Sequence, residues 1–198
     1  MKIYTMKFIE KLKEILFKPK KFYSKLKKER DLLKSFKWLA VLLLLPPIFW
    51  IIINQVLLLV GVKPMITFYS PKNWIPFYVA GSFTVFITFY ISYLVSMFIL
   101  AGLLHLSAKF FKGKGEYEDS FNVLCYSQTP MILFGWIPIL GIFFWLYSFY
   151  QLLLGISKTQ KVSMLKSFGV LIFPGVVLLL ISIFLGTILG ISFFSALL

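Results

Sequence analysis

The fold class this sequence predicts is an all-α membrane bundle of five transmembrane helices, preceded by an N-terminal amphipathic interfacial helix. Three observations predict it. The chain of 198 residues is 60% hydrophobic and only 14% charged, where an ordinary soluble domain carries about 25% charged residues. Mean hydropathy is +0.89, more apolar surface than a soluble core of this size can hide. The charges, net +14, are crowded into a few short segments. Between them lie apolar runs, each long enough to cross a bilayer at about 20 residues per span. A disordered chain and an ordinary soluble protein are both excluded.

Residues 1–35 form the basic amphipathic region. Over 3–18, Tyr4, Phe8, Ile9, Leu12, Ile15 and Leu16 fall on one helical arc of roughly 140°. Lys7, Lys11, Glu14 and Lys18 fall opposite, with Glu14 and Lys18 in the favourable i,i+4 order for an ion pair. Pro19 ends the helix, and a second basic stretch follows from Lys20. A lysine-rich amphipathic helix beside a span is expected to lie in the inner interface on anionic lipid headgroups. Lys7, Lys11, Lys18, Lys20 and Lys21 are therefore the candidate lipid- or partner-facing residues. Such a helix can simply anchor topology, or it can serve as a platform for an unidentified protein partner. Nucleic-acid binding is not expected, because orientation accounts for the basic run and no reading module accompanies it.

Residues 36–198 form the membrane domain, with spans predicted at about 36–62, 77–108, 121–136, 138–156 and 168–195. The run 121–156 is too long for one helix, and Gly135-Trp136-Ile137-Pro138-Ile139-Leu140-Gly141 punctuates it. Pro174 predicts a kink in the last span. With the N-terminus inside, 19 of the 21 basic residues lie in the inner segments 1–37, 109–120 and 157–167. This positive-inside bias sets the N-terminus in the cytoplasm and the C-terminus outside, in the cell membrane. A cleaved secretion signal is not expected, since the charged N-region is long and the first apolar stretch is a full span.

Apart from Lys37 at the inner edge of the first, no Asp, Glu, Lys or Arg falls within a predicted span, which argues against an ion-coupled pump or proton relay. The strongest polar groups there are Asn54, Gln55, Asn122, Gln128 and Gln151, read first as interhelical hydrogen-bond partners. His105 reads as an interfacial histidine. In the second span Thr84, Thr88, Ser92 and Ser96 repeat at steps of four, and Gly186 and Gly190 do so in the fifth. Both are read as helix-packing stripes, within the bundle or between protomers of a homo-oligomer.

Catalytic signatures are absent: no HExxH, no Walker loop and no serine elbow. One His and one Cys, Cys125, are too few for a zinc site of the usual kind or an internal disulfide. No metal and no cofactor are expected. Gly113-Lys114-Gly115 reads as a flexible loop. Glu116, Glu118 and Asp119 read as N-cap chemistry for the helix that follows.

Three stretches carry a family resemblance. They are Pro19-Lys20-Lys21-Phe22-Tyr23; Gly115-Glu116-Tyr117-Glu118-Asp119-Ser120-Phe121 running on to Gln128-Thr129-Pro130; and Ile137-Pro138-Ile139-Leu140-Gly141 with Trp145, Tyr147 and Gln151 to Ile156. In this order they resemble the Yip family, named for interaction with Ypt/Rab GTPases, over about residues 15–195. The resemblance implies five spans with the N-terminus inside and, in eukaryotic members, vesicle traffic and small-GTPase binding. The Asp-Leu-Tyr-Gly-Pro-type motif of those members is not in this sequence. The short N-terminal region and the Lys/Ile/Phe-rich composition look like those of bacterial or archaeal members, for which the resemblance implies no activity. The expected function is a non-enzymatic scaffold or adaptor in membrane organisation. The alternative is a transporter component for a small or lipidic solute, using Asn54, Gln55, Asn122, Gln128 and Gln151.

Overall fold

A computed structural model describes residues 7–26, 31–49, 75–137 and 139–195. Among these residues there is no strand. The helices are α1 (Phe8–Phe17), α2 (Pro19–Leu26), α3 (Leu32–Leu42), α4 (Ile75–Phe110), α5 (Tyr117–Ser127), α6 (Thr129–Phe134), α7 (Leu140–Gln160) and α8 (Met164–Ser195). Among the described residues, four helical stretches are long and apolar enough to cross a membrane: Leu32–Phe49, Phe86–Phe110, Leu140–Gln160 and Met164–Phe184.

Local chemistry places the ends. Pro19 opens α2 at a position where its missing N–H costs nothing. Asp31 caps α3, its carboxylate accepting from the Lys34 amide at 3.0 Å. Helix α4 closes with the Gly113 amide donating to the Ala108 carbonyl at 2.7 Å and the Lys112 amide to that of Lys109 at 2.9 Å. That is the Schellman pattern, with Lys112 in the left-handed region at φ 61°. A Cβ on Gly113 would sit 2.8 Å from the Ala108 oxygen. Gly113-Lys114-Gly115 is thus a built turn, where the sequence alone reads as a flexible loop. Helix α5 opens on a capping box, the Glu116 amide donating to the Asp119 carboxylate at 2.9 Å. The expected N-cap chemistry is there, carried by Glu116 and Asp119. Pro174 stands inside α8, and the helix runs through it.

The predicted span at 121–136 takes a different form. It starts at Tyr117 and breaks at Gln128, because Pro130 has no N–H to continue the ladder. The products, α5 and α6, are 11 and 6 residues long. Helix α5 is the centre of the molecule: every residue from Asp119 to Ser127 is buried, and α3, α4 and α7 pack around it. The predicted span at 36–62 is described only as far as Phe49, and the remainder lies outside the described residues.

Burial is concentrated at one end. The buried residues of α7 run from Ser148 to Gln160. Those described on α4 run from Met97 to Ala108, and those on α8 are Ser167 and Val170. Away from that end the helices expose Phe89, Ile91, Ile142, Phe143, Ile183 and Phe184. Apolar side chains in such number, on stretches long enough to span, face hydrocarbon rather than water.

Candidate functional site

The packed end is also the basic end, and α1 and α2 close it. Their attachment is specific. The Tyr23 hydroxyl donates to Gln151 Oε1 at 3.1 Å, and Gln151 Nε2 donates to the Ile15 carbonyl at 2.9 Å. One α7 side chain thereby holds both N-terminal helices. The Tyr147 hydroxyl donates to the Leu16 carbonyl. Ile15, Phe22, Tyr23 and Leu26 are all buried in the common core. Burial, with a smaller contribution from Tyr147, pushes the Tyr23 phenol well above its ordinary value, so it stays a neutral donor. Gly155 makes the approach feasible: a Cβ there would collide with Val123 and lie 3.1 Å from the Tyr23 ring.

Lys11 is 7% exposed. Its Nζ donates to the Tyr126 hydroxyl at 2.7 Å and lies 4.5 Å from the Tyr126 ring centre and 4.9 Å from that of Trp38. Trp38 Nε1 donates to Thr129 Oγ1 at 3.1 Å, and Phe22 meets Tyr126 edge-on at 5.1 Å. The ammonium is stabilised by two aromatic faces and a hydroxyl. Two expectations are corrected here. Lys11 is not an open surface lysine like its neighbours, because Trp38 and Tyr126, distant in sequence, hold its ammonium. Glu14 pairs with Lys25 of α2 at 2.7 Å, not with Lys18, because the turn at Lys18 and Pro19 folds α2 back along α1. Lys7, Lys18, Lys20 and Lys21 are exposed.

The loop 111–116 is clasped to the end of α7. Gly115 donates its amide to Gln160 Oε1 at 2.9 Å, Gln160 Nε2 donates to Ser120 Oγ at 2.9 Å, and the Lys114 amide donates to the Gln160 carbonyl at 2.8 Å. No charge or motif signalled Gln160, whose part depends on the Schellman turn bringing Gly115 to it.

The remaining expected residues fall as follows. Asn122 is buried and its Oδ1 accepts from Ser35 Oγ; its Nδ2 is buried with no partner. Gln151 is fully buried and bonded at both ends of its amide. Gln128 is half-buried at the α5–α6 break, while Asn54 and Gln55 lie outside the described residues. His105 is half-buried on α4, edge-on to Tyr117 with ring centres 6.3 Å apart. Thr88 and Ser92 are exposed on α4. Ser96 is half-buried, and its hydroxyl donates to the Tyr93 carbonyl at 2.7 Å. The surroundings of Thr84, Gly186 and Gly190 are not among those described. Among the described residues no three His, Cys, Asp or Glu side chains gather as a metal would require.

Apolar helices of spanning length, an exposed hydrocarbon-facing half and a polar end sealed by lysine-rich helices define a multi-pass integral membrane protein. The Yip1 domain matches residues 13–186. The chain belongs to that family. No curated protein and no solved structure matches it.

Proposed function

We propose that the protein is a non-enzymatic scaffold or adaptor of the cell membrane, with its packed basic end in the cytoplasm. The observation that carries this reading is the attachment of α1 and α2. Gln151, Tyr23 and Lys11 fix these helices by buried hydrogen bonds, so Lys18, Lys20 and Lys21 stand on a rigid base. A pre-ordered surface binds with less entropy cost than a free amphipathic tail. In this reading the chain crosses the membrane five times, with α5 and α6 as the central crossing, and the C-terminus lies outside. The distribution of 19 of 21 basic residues on one side supports that topology. Thr88 and Ser92, exposed on α4, suit a contact with a second copy.

What favours a scaffold over a transporter is that Gln151 spends both ends of its amide inside the core rather than along a passage. The test is affinity purification of the tagged full-length protein from its native membrane, with and without the triple change Lys18→Glu, Lys20→Glu and Lys21→Glu. The triple variant is expected to insert normally and lose its co-purifying protein partner. An unchanged partner set would overturn the reading. So would solute flux in proteoliposomes of the purified protein that disappears in Gln128→Leu.

A further inference from the structure

A groove of about 270 Å³ runs between α1 and α3, lined by Phe8, Lys11, Lys34, Lys37, Trp38 and Val41. Its order along α3 is directional. Lys34 and Lys37 sit one turn apart at the basic end, Trp38 follows, and Val41 lies deeper along the spanning stretch Leu32–Phe49. From Lys34 to Val41 is about 10 Å at about 1.5 Å per residue. Beyond the end of α3, Leu44 and Ile48 are exposed. Phe8 forms the opposite wall, its ring centre 4.6 Å from that of Trp38. Lys11 lies at the base, its Nζ held by Tyr126, and adds a fixed positive charge. Asp31 is the carboxylate at the mouth, 3.2 Å from Lys34 Nζ, which leaves the cationic excess with Lys37 and Lys11.

Cations, then an indole, then an aliphatic track is the sequence of surfaces that an anionic phospholipid presents in mirror image: phosphate, ester region, acyl chain. We propose that this groove holds a single anionic phospholipid, its phosphate at Lys37 beside the Asp31-paired Lys34 and one acyl chain running past the edge of Trp38 along Val41. The proposal rests on the reading of this end as the lipid-facing inner end. It goes beyond general attraction of lysines to a charged surface, because it names one stoichiometric site with a fixed direction.

Native mass spectrometry of the full-length protein, delipidated in non-ionic detergent, tests it. The protein is titrated with phosphatidylglycerol or phosphatidylcholine of the same acyl chains. One phosphatidylglycerol is expected to bind in preference to phosphatidylcholine. Lys37→Gln should weaken it about fivefold and Lys34→Gln with Lys37→Gln by about tenfold or more. Lys158→Gln with Lys161→Gln, on another basic segment, should leave it unchanged. Lys37→Gln does not touch the α3 cap, so it reads the site even if the double variant loosens the helix. Wild-type affinity in both groove variants, or an equal loss in the control pair, would overturn the site. Displacement of the lipid by inorganic phosphate would also overturn it, as a free-anion site. Partner recovery with the Lys18, Lys20 and Lys21 variant is read separately, so loss of the lipid site and loss of the scaffold reading give different results.

Discussion

Lys11 and Tyr126, 115 residues apart in the chain, are joined by a hydrogen bond of 2.7 Å from the ammonium to the phenol oxygen. The bond ties α1 to the central helix α5. It converts a lysine that sequence alone assigns to a lipid surface into part of the core.

The first prediction concerns that pair. Tyr126→Phe removes a hydroxyl acceptor from a buried ammonium and should cost about 1–3 kcal/mol. Lys11→Met removes the bond and the cation–π contact but also the desolvated charge, so its net cost should be smaller. Thermal unfolding in detergent checks the order. A larger loss in Lys11→Met would contradict it.

The second concerns Gly155. Any Cβ there meets Val123 and the Tyr23 ring at distances that force movement. Gly155→Val should cost about 1–3 kcal/mol through overpacking and should loosen α1 and α2 from α7. Faster proteolysis between Phe17 and Lys21 than in the wild type is the expected readout. An unchanged cleavage rate would mean that the two helices are held elsewhere.

The third concerns pH. Burial is the largest single influence on the Asp31 carboxyl and raises it, but the Lys34 amide and ammonium together with the Leu33 amide outweigh it and hold the carboxyl below its ordinary value. A lowered carboxyl pKa means that its contribution is present at neutral pH and lost as pH falls below about 4. Asp31→Ala should cost about 1 kcal/mol at pH 7 as a lost N-cap. The gap between wild type and variant should narrow as the solution is acidified toward that range. A gap that widens on acidification would contradict the assignment.

The fourth concerns topology. In a Cys125→Ala background, Lys72→Cys and Leu198→Cys should label from outside. Lys114→Cys and Lys158→Cys, both exposed positions, should label only after permeabilisation. Outside labelling at Lys158→Cys would defeat five spans.

How far the sequence reveals this molecule differs by element. The charge gaps mark α4, α7 and α8 to within a few residues, since hydrocarbon thickness and charge desolvation act locally on the chain. The Glu116 and Asp119 cap was legible for the same reason. The third predicted span was not legible in its final form: Pro130 is visible as a breaker, yet nothing local says that α5 becomes the hub. The N-terminal arc failed in a particular way. Periodicity puts Ile9 with Phe8 and Ile15 on the apolar face, but the structure buries Lys11 and Ile15 and leaves Ile9 and Phe17 exposed. An amphipathic pattern assumes that every lysine prefers water. Two aromatic rings and a hydroxyl from α3 and α5 reverse that preference at one position, and no helical wheel contains them. Gln151 is legible in the sequence as a polar group in a span, and its partners Tyr23 and Ile15 emerge only from the fold.

Everything proposed for the basic end requires that α1 and α2 be built into the bundle rather than lie loosely on the bilayer. Hydrogen exchange of the full-length protein in lipid nanodiscs measures this directly. Amides of residues 12–17 and 22–26 are predicted to exchange as slowly as those of α5, and to be released selectively by Gln151→Leu, which breaks the bonds to Tyr23 and Ile15. Exchange of those segments within seconds in the wild type, while α5 stays protected, would contradict it.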